Sequence, residues 1–264
     1  MTQNERRKYL IKALLEEQPH YSSMEIPADE REQKILLRAL FNLRMPNPAG
    51  DEFLAVQDAY LREETRQKGI TDLTDLEPLQ DGLYLWRGDI TTLRCDAIVN
   101  AANSQMLGCF CPNHGCIDNA IHTYAGVQLR LACAELMRQQ GCEEETGKAK
   151  LTPAFNLPSR YVLHTVGPIV YGHLTRRDCE QLASCYRSCL ELAEQNKLRS
   201  IAFCCISTGK FHFPNEKAAE IAVQTVRDYR KQAHSEIEVI FNVFRETDYN
   251  IYRKLLQTDR QAEK

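Results

Sequence analysis

Long apolar runs, a charge excess of one sign, internal repeats and low-complexity tracts are all missing from this 264-residue sequence. No segment approaches the roughly 20 apolar residues that a helix needs to cross a bilayer, so we expect no membrane partner. The 33 basic and 36 acidic side chains give a formal net charge of -3, without the basic excess typical of proteins that bind nucleic acid. We therefore expect any anionic ligand to be held by local geometry.

A secretory signal is also missing, because the polar start Met1–Lys8 leads into an amphipathic stretch without an apolar core region. We expect a soluble, cytoplasmic protein in a reducing compartment. There the eleven cysteines would act as metal ligands or small buried side chains, and not as a disulfide framework. Apolar neighbours predict a core position for five of them: Cys133, Cys185, Cys189, Cys204 and Cys205.

The residues that are present, 43% hydrophobic and 26% charged, suffice for one substantial core. Residues 1–74 form a predicted helical N-terminal extension, because apolar side chains recur there at helical spacing and prolines separate three segments. The second helix is predicted to start at Ser23 or at Pro27-Ala28-Asp29, and the third at Asp51. No chemical motif stands out, so we interpret the extension as a cap on the main domain, not as an independent binding module.

Residues 75–264 alternate between strand-like and helical segments. The predicted strands are 83–90, 97–102, 161–165, 200–205 and 237–243, and the predicted helices are 118–137, 177–196 and 215–231. Alternation of this kind predicts an α/β fold, a mixed sheet with helices on both faces. Because ligands bind beyond the carboxyl ends of the strands in such folds, the loops after residues 102 and 206 are the predicted binding region. Residues 257–264 are a predicted solvated helix end or tail.

Polar side chains follow two of the predicted strands. Asp89 comes just after the first strand, where its carboxylate can accept a hydrogen bond from an exocyclic amine such as that of adenine. Asn103 lies beyond the end of the second strand and can bond a ribose hydroxyl, whereas Asn100 is expected to order its own turn. Taken singly, residues of these types more often serve as turn or cap residues than as ligands.

A turn of small residues, Ser207-Thr208-Gly209, follows the strand at 200–205 and continues through Lys210 and Phe211 to a predicted helix. Backbone N–H groups in such a turn can point at a phosphate, assisted by the N-terminus of the following helix. The ring of Phe211 can pack against a sugar or a base. A turn of this composition is weak evidence alone, since most are turns and nothing more.

The strongest local signal is the segment Gly108–Cys116, in which three thiols and an imidazole fall within eight residues. Zinc favours such ligands, and three protein ligands with an open position are typical of catalytic zinc. Two other interpretations stay open: fortuitous cysteines in a loop, or a structural zinc with Cys111 as fourth ligand. Asp118 follows directly, either as a helix N-cap or as a base beside the metal. His122 is interpreted as a packed histidine outside the site.

Taken together, six motifs in this order resemble the macrodomain family over roughly residues 83–250: Gly88–Thr91, Asp96–Asn103, Asp118–His122, Gly147–Pro153, Val162–Pro168 and Ile206–Gly209. The resemblance implies a three-layer α/β/α macrodomain with a mixed central sheet, preceded by the helical extension. It also implies binding of ADP-ribose and, in many members, its hydrolysis from protein side chains.

The sequence departs from the common hydrolase pattern at Gly115–Asp118, which follows an inserted cysteine-rich loop. This departure resembles the zinc-containing branch of the family. By that resemblance Cys109, His114 and Cys116 would bind Zn²⁺, and Cys111 would be a spectator. The N-terminal helices resemble the extension of the same branch.

The resemblance also implies roles for the remaining residues. Asp89 and Ile90 would contact adenine. The diphosphate and its ribose would contact Ser207, Thr208, Gly209, Lys210 and Phe211. The distal ribose would contact Asn103, Ile117, Asp118 and Asn119. Asp118 and Asn103 are the expected catalytic residues. Our mechanistic hypothesis is that zinc orients the distal ribose or a water while Asp118 assists proton transfer as the ester to the protein is cut.

The implied substrate is a mono-ADP-ribosylated protein. Members of this branch resemble partners of bacterial class M sirtuins, which modify a lipoylated carrier related to the glycine-cleavage H protein. The implied activity is therefore removal of ADP-ribose from that carrier. A module that binds ADP-ribose and performs no chemistry is the alternative.

Overall fold

The computed structural model describes residues 1–18, 21 and 23–258. The chain begins with three helices, α1 (Gln3–Glu16), α2 (Glu30–Leu43) and α3 (Asp51–Lys68). Asp29 caps α2 by accepting a hydrogen bond from the Glu32 N–H at 2.9 Å, so the helix begins at the later of the two predicted positions. The predicted start of α3 at Asp51 is confirmed.

The described residues after α3 form eight strands and five helices. The strands are β1 (Thr71–Asp72), β2 (Leu83–Arg87), β3 (Leu93–Arg94), β4 (Ala97–Ala102), β5 (Ala149–Pro153), β6 (Tyr161–Val166), β7 (Ser200–Phe203) and β8 (Glu238–Val243). The helices are α4 (Ile117–Ala125), α5 (Val127–Gln140), α6 (Arg176–Gln195), α7 (Asn215–Ala233) and α8 (Glu246–Thr258).

Six strands form one mixed sheet in the order β2-β8-β7-β4-β6-β5, in which β5 alone runs antiparallel to its neighbour. The mixed sheet predicted from the alternation is confirmed. The strands β5, β1 and β3 were not predicted, and β1 pairs with β3 in a separate two-stranded ladder. Helix α8 ends at Thr258, so residues 257 and 258 of the predicted tail are helical. Residues 259–264 of that tail lie outside the described residues.

The predicted single helix over residues 118–137 is wrong, because Gly126 divides it into α4 and α5. Gly126 has φ +93 and ψ 175, a backbone conformation that only glycine adopts readily. A Cβ there would lie 2.7 Å from Gln57 Nε2, and Gln57 in α3 accepts the Val127 N–H at 2.9 Å. The break therefore coincides with a close approach of the N-terminal helices.

The sheet lies in a core to which four of the five predicted core cysteines contribute as fully or almost fully buried side chains: Cys133, Cys185, Cys189 and Cys204. Cys205 is only half-buried and packs against this core, and β7 ends at Phe203 instead of continuing to residue 205. A second cluster joins α1, α2 and α3, and it includes Val127 of α5. The extension is thus helical and packed on the main domain, while its boundary at residue 75 stays a prediction. Among the described residues, no helix has the length and apolar character needed to cross a membrane.

We expect Gly126→Ala to lower the free energy of unfolding by about 1–3 kcal/mol, because an alanine is strained at this positive φ. Urea denaturation measures the change. Gly209→Ala is the matched control, since a Cβ there meets nothing within 4 Å, and should stay within about 0.5 kcal/mol of the unsubstituted protein. Equal effects of the two substitutions would show that the break at Gly126 imposes no special conformation.

Candidate active site

The carboxyl ends of four parallel strands meet at one edge of the sheet. The loop 103–116 follows β4, and the loop 204–214 follows its neighbour β7. Asp89 follows β2, and Phe244 follows the adjacent β8. Since ligands of open α/β sheets bind at this edge, the residues predicted from separate motifs come together in one region.

Asp89 is held by its own turn and by the N-terminal helices. Its Oδ1 accepts hydrogen bonds from the Thr91 N–H at 3.0 Å and the Thr91 hydroxyl at 2.6 Å. Its Oδ2 lies 3.1 Å from Nζ of Lys68, which also lies 3.3 Å from the centre of the Tyr124 ring. Burial would raise the pKa of the Asp89 carboxyl, but the bonds from Thr91 and Lys68 lower it below its ordinary value. Asp89 is therefore a carboxylate in the neutral pH range.

Near Asp89, Ile90 differs from its predicted role, and Phe244 was not predicted as part of the site. The side chain of Ile90 is buried in the core, so only the backbone of this predicted adenine contact can reach a ligand. Phe244 exposes 78% of its surface immediately after β8. Because Val243 pairs with Arg87 in the sheet, the exposed ring lies at the strand end next to that of Asp89. The sequence signal that could have identified Phe244 is an aromatic residue directly after the last predicted strand.

Asn103 orders the turn after β4. Its Oδ1 accepts the Gln105 N–H at 3.1 Å, and its Nδ2 donates to the Gly108 carbonyl at 3.1 Å. The side chain is half-buried, and one N–H and further lone pairs of the amide remain for a ligand. Asn103 thus joins the strand end to the start of the cysteine-rich loop.

The expectation that Asn100 orders its own turn is wrong. Its side chain is fully buried in β4, and its Nδ2 lies 2.8 Å from Asp118 Oδ1 and 3.1 Å from His164 Nδ1. Because the amide donates to both atoms, it fixes the position of the Asp118 carboxyl against the sheet. This role depends on the contact with His164 of the neighbouring strand β6, which the sequence alone does not show.

Asp118 lies buried in the first turn of α4, beside the half-buried Ile117. Burial raises the pKa of its carboxyl to about 6, although the bond from Asn100 opposes the rise. His122 Nε2 lies 3.5 Å from Asp118 Oδ1. Burial also holds the pKa of His122 well below its ordinary value, so the contact is one with a neutral imidazole and not an ion pair. His122, which sequence reasoning set aside, therefore borders the predicted catalytic carboxyl.

The predicted metal ligands converge in the loop 103–116. The ligand atoms of Cys109, His114 and Cys116 all lie within 4.8 Å of one another, and Cys109 Sγ is 3.5 Å from His114 Nδ1. Two ligands at about 2.3 and 2.0 Å from a tetrahedral zinc would lie about 3.5 Å apart. All three residues are half-buried, while Cys111 is exposed and outside the cluster. The donor set and its spacing fit a zinc ion with an open position.

A second group of possible ligand atoms comes from His122, Cys133 and His164. It fits a cation poorly, because the orientation of Asn100 makes His164 Nδ1 an acceptor and places the proton on Nε2. That Nε2 donates to the Thr152 hydroxyl at 2.9 Å. Burial lowers the pKa of His164 to about 3, so the ring is neutral and serves as the buried support of Asn100.

Asn119 is fully buried behind the cysteine-rich loop. Its Nδ2 donates to the Cys111 carbonyl at 3.0 Å and approaches the Cys109 carbonyl at 3.5 Å. Its Oδ1 accepts two hydrogen bonds from Arg38 of α2, at 2.8 and 3.2 Å. Both ends of the amide are thus engaged by protein groups. The predicted contact of Asn119 with the distal ribose stays a prediction that these bonds do not favour.

The turn after β7 exposes backbone donors. Ser207 has φ +64, and its carbonyl accepts the Phe213 N–H at 3.0 Å. In the described part of the chain, no hydrogen bond joins the N–H groups of residues 208–211 to another protein group. Gly209 and Lys210 are exposed, and Phe211 is half-buried. These features are compatible with the predicted anion-binding turn.

Comparisons with known proteins agree with this architecture. A family model described as Macro domain matches residues 99–222. A Protein-ADP-ribose hydrolase from Treponema medium is 60% identical over 260 residues, which are 97% of this chain and 100% of that protein. The chain belongs to the macrodomain family. The predicted α/β macrodomain fold with N-terminal helices is confirmed.

Two further relatives cover much of the chain. A Protein-ADP-ribose hydrolase from Staphylococcus aureus (strain MSSA476) is 49% identical over 258 residues, 97% of each protein. The crystal structure of a Trypanosoma brucei macrodomain in complex with ADP-ribose has a TM-score of 0.65 and 32% identity, and covers 83% of this chain and 94% of that one. The likeness to the hydrolases therefore includes the N-terminal helices.

In this macrodomain we expect Asn100→Val to lower the free energy of unfolding by about 1–3 kcal/mol, since it leaves Asp118 Oδ1 and His164 Nδ1 buried without their donor. Thermal and urea denaturation measure the loss. Asn196→Ala, which removes an exposed bond to a helix carbonyl, is the control. If Asn100→Val is no less stable than this control, the buried bonds do not support the Asp118 carboxyl.

Proposed function

We propose that this chain is a hydrolase that removes mono-ADP-ribose from modified proteins. Nearly full-length relatives at 49% and 60% identity carry the name Protein-ADP-ribose hydrolase. The observation that carries the proposal is the buried carboxyl of Asp118, fixed by Asn100 close to three converging side chains of types that can bind a metal. Binding alone requires neither feature.

The edge of the sheet accommodates the parts of ADP-ribose in sequence. Adenine would lie against the exposed ring of Phe244, with its exocyclic amine donating to Asp89 and the backbone at Ile90 alongside. The diphosphate would accept hydrogen bonds from the turn at residues 207–211, including the free N–H groups of Thr208, Gly209, Lys210 and Phe211. The distal ribose would then lie between Asn103 and the start of α4 at Ile117.

Asp118 is the group placed to move a proton in this arrangement. Its Oδ1 is held by Asn100 and contacts His122, which leaves Oδ2 for the ligand. A carboxyl whose pKa burial raises to about 6 can both take and return a proton near neutral pH. Asp118 Oδ2 would accept a proton from the attacking water and return it to the leaving oxygen of the protein side chain as that bond is cut, while Asn103 orients the ribose.

Cys109, His114 and Cys116 would hold the zinc ion. A zinc with an open position polarises a bound oxygen as a Lewis acid and lowers the pKa of bound water. The Asn119 N–H donates to Cys116 Sγ and its Nδ2 donates to the Cys111 carbonyl, so the first turn of α4, which carries Asp118, is bonded to the cysteine-rich loop. The chain's own residues thus bring a metal-binding cluster and a proton-transferring carboxyl to the same end of the ligand.

The physiological substrate is a further part of the proposal, and it rests on the sequence resemblance alone. We propose a lipoylated carrier related to the glycine-cleavage H protein, modified by a class M sirtuin-type transferase, in the cytoplasm. Comparison of the hydrolysis of this carrier with that of an unrelated mono-ADP-ribosylated protein tests the preference.

The activity is tested by following release of ADP-ribose from a mono-ADP-ribosylated protein. We expect Asp118→Ala and Asp118→Asn to reduce turnover by about 10²–10⁴-fold, because they remove the proton-transferring oxygen, while ADP-ribose binding measured by calorimetry persists. Asp228→Asn, at an exposed helical position, is the control. Tight binding by the unsubstituted protein without release would make the chain a reader, and undiminished release by both Asp118 variants would exclude the role of that carboxyl.

The metal ligands are tested by the zinc content of the purified protein. We expect Cys109→Ser and His114→Ala to lose zinc and turnover together, because each removes one of three converging ligands. Cys111→Ser should keep both, because this side chain is exposed and outside the cluster. Loss of folding in the Cys111 variant would instead indicate a structural zinc with four ligands, and full hydrolysis by zinc-free protein would exclude a role for the metal.

A further inference from the structure

The backbone of the cysteine-rich loop is held by side chains that lie outside it. Arg38, on α2 of the N-terminal extension, donates through Nη2 to the His114 carbonyl at 3.1 Å and to Asn119 Oδ1 at 2.8 Å. Its Nε adds a second bond to Asn119 Oδ1 at 3.2 Å. Asn119 in turn donates to the Cys111 carbonyl. The Arg38 guanidinium is therefore bonded directly to His114, a predicted metal ligand, and is linked to Cys111 through the buried Asn119 amide.

The shape of the guanidinium matters for this contact. Its planar fork presents several N–H groups in fixed directions, whereas a lysine ammonium is a compact charge on a flexible stem. Arg38 uses two nitrogens to engage Asn119 Oδ1 and the His114 carbonyl at once. Hydrogen bonds from a charged donor are also shorter and stronger than neutral ones. The contact thus fixes the distance between the His114 backbone and the first turn of α4, which carries Cys116 as its N-cap.

A second set of contacts joins the same helix to the same loop. The Asn113 N–H donates to Asn42 Oδ1 at 2.9 Å, and Asn113 itself has φ +54. The ring of Phe110 lies 4.4 Å from the guanidinium carbon of Arg130, which donates to the Asn42 carbonyl at 3.0 Å at the end of α2. Between them, Phe110 and Asn113 flank the exposed tip of the loop. Helix α2 therefore contacts the loop directly at Asn113 and His114, and it is linked to Phe110 only through Arg130 of α5.

We propose that Arg38 is a positioning residue for the metal-binding cluster, so that the N-terminal helices complete the metal site and are more than a cap. This inference rests on the proposed zinc site and adds a residue to it that touches neither metal nor substrate. The loop 103–116 has no helix or strand of its own. Apart from bonds within the loop, such as that from the His114 N–H to the Cys111 carbonyl, its ligand spacing depends on outside contacts, of which the Arg38 contact is charged and partly buried.

The test compares zinc affinity among three variants of the full chain by competition with a chromophoric chelator. We expect Arg38→Met to weaken zinc binding by about 10- to 100-fold, the usual effect of removing a group that orients metal ligands. The zinc affinity of Arg38→Lys should lie between those of Arg38→Met and the unsubstituted protein, because one ammonium cannot make both contacts in the same geometry. Lys34→Met, one turn earlier on α2, is the matched control, since Lys34 pairs with Glu64 and Glu30 and not with the loop. Its zinc affinity should equal that of the unsubstituted protein.

Two additional measurements separate positioning from general damage. The absorption spectrum of the cobalt-substituted protein reports ligand geometry, and should change in Arg38→Met but not in Lys34→Met. The thermal midpoint of metal-free Arg38→Met should fall modestly, because the buried Asn119 Oδ1 loses its donor, whereas its ADP-ribose affinity should remain close to that of the unsubstituted protein. If Arg38→Met fails to fold, Arg38→Lys decides, with weaker zinc binding at an unchanged midpoint as the supporting result.

Equal zinc affinity and equal cobalt spectra in Arg38→Met, Lys34→Met and the unsubstituted protein would overturn this inference and leave the proposed function intact. Absence of stoichiometric zinc binding by the unsubstituted protein would overturn both the inference and the metal part of the proposed function. Retained release of ADP-ribose in that case would show that the hydrolase activity stands without either.

Discussion

The buried amide of Asn119 is the interaction on which the arrangement of the site depends. It lies in the first turn of α4, and it joins the carbonyls of the cysteine-rich loop to Arg38 of the N-terminal helices. A buried amide left without partners costs roughly 1–3 kcal/mol per unsatisfied group, so loop, helix and extension are energetically linked. Displacement of any one of them would separate the proposed metal ligands from Asp118.

A second buried network, built on the sheet, supports the other half of the site. Thr152, His164 and Asn100 form a hydrogen-bonded row across β5, β6 and β4 that ends at the Asp118 carboxyl. Burial keeps His164 neutral and raises the pKa of Asp118 to about 6. The sheet therefore fixes the position of the carboxyl, while the N-terminal helices contact the neighbouring loop.

The sequence was most informative where chemistry is local. The mixed sheet, most helix ends and the convergence of Cys109, His114 and Cys116 follow from periodicity and from ligands close together in the chain. It was least informative where contacts are distant. Asn100 and Asn103 have similar surroundings in sequence, and only packing against β6 and α4 shows that the first is the buried support and the second orders the turn.

Arg38 illustrates the same limit, because a single arginine on an amphipathic helix usually indicates a solvated face. Its contact with Asn119 spans 81 residues of chain, and no local pattern encodes such a distance. Gly126 is a related case. Helical periodicity continues across Gly126 without interruption. Its positive φ accompanies the close approach of Gln57, which the local sequence does not show. In both cases the missing information lies in how the N-terminal helices pack on α4 and α5.

We propose that one edge of the sheet brings together a zinc held by the loop, the Asp118 carboxyl and the distal ribose of ADP-ribose. Zinc-edge anomalous diffraction from a crystal of the full chain with ADP-ribose would locate all three. We expect one anomalous peak at about 2.0–2.3 Å from Cys109 Sγ, a His114 ring nitrogen and Cys116 Sγ, with the distal ribose between that peak and Asp118. A peak held by other residues, or a distal ribose bound away from Asp118, would contradict it.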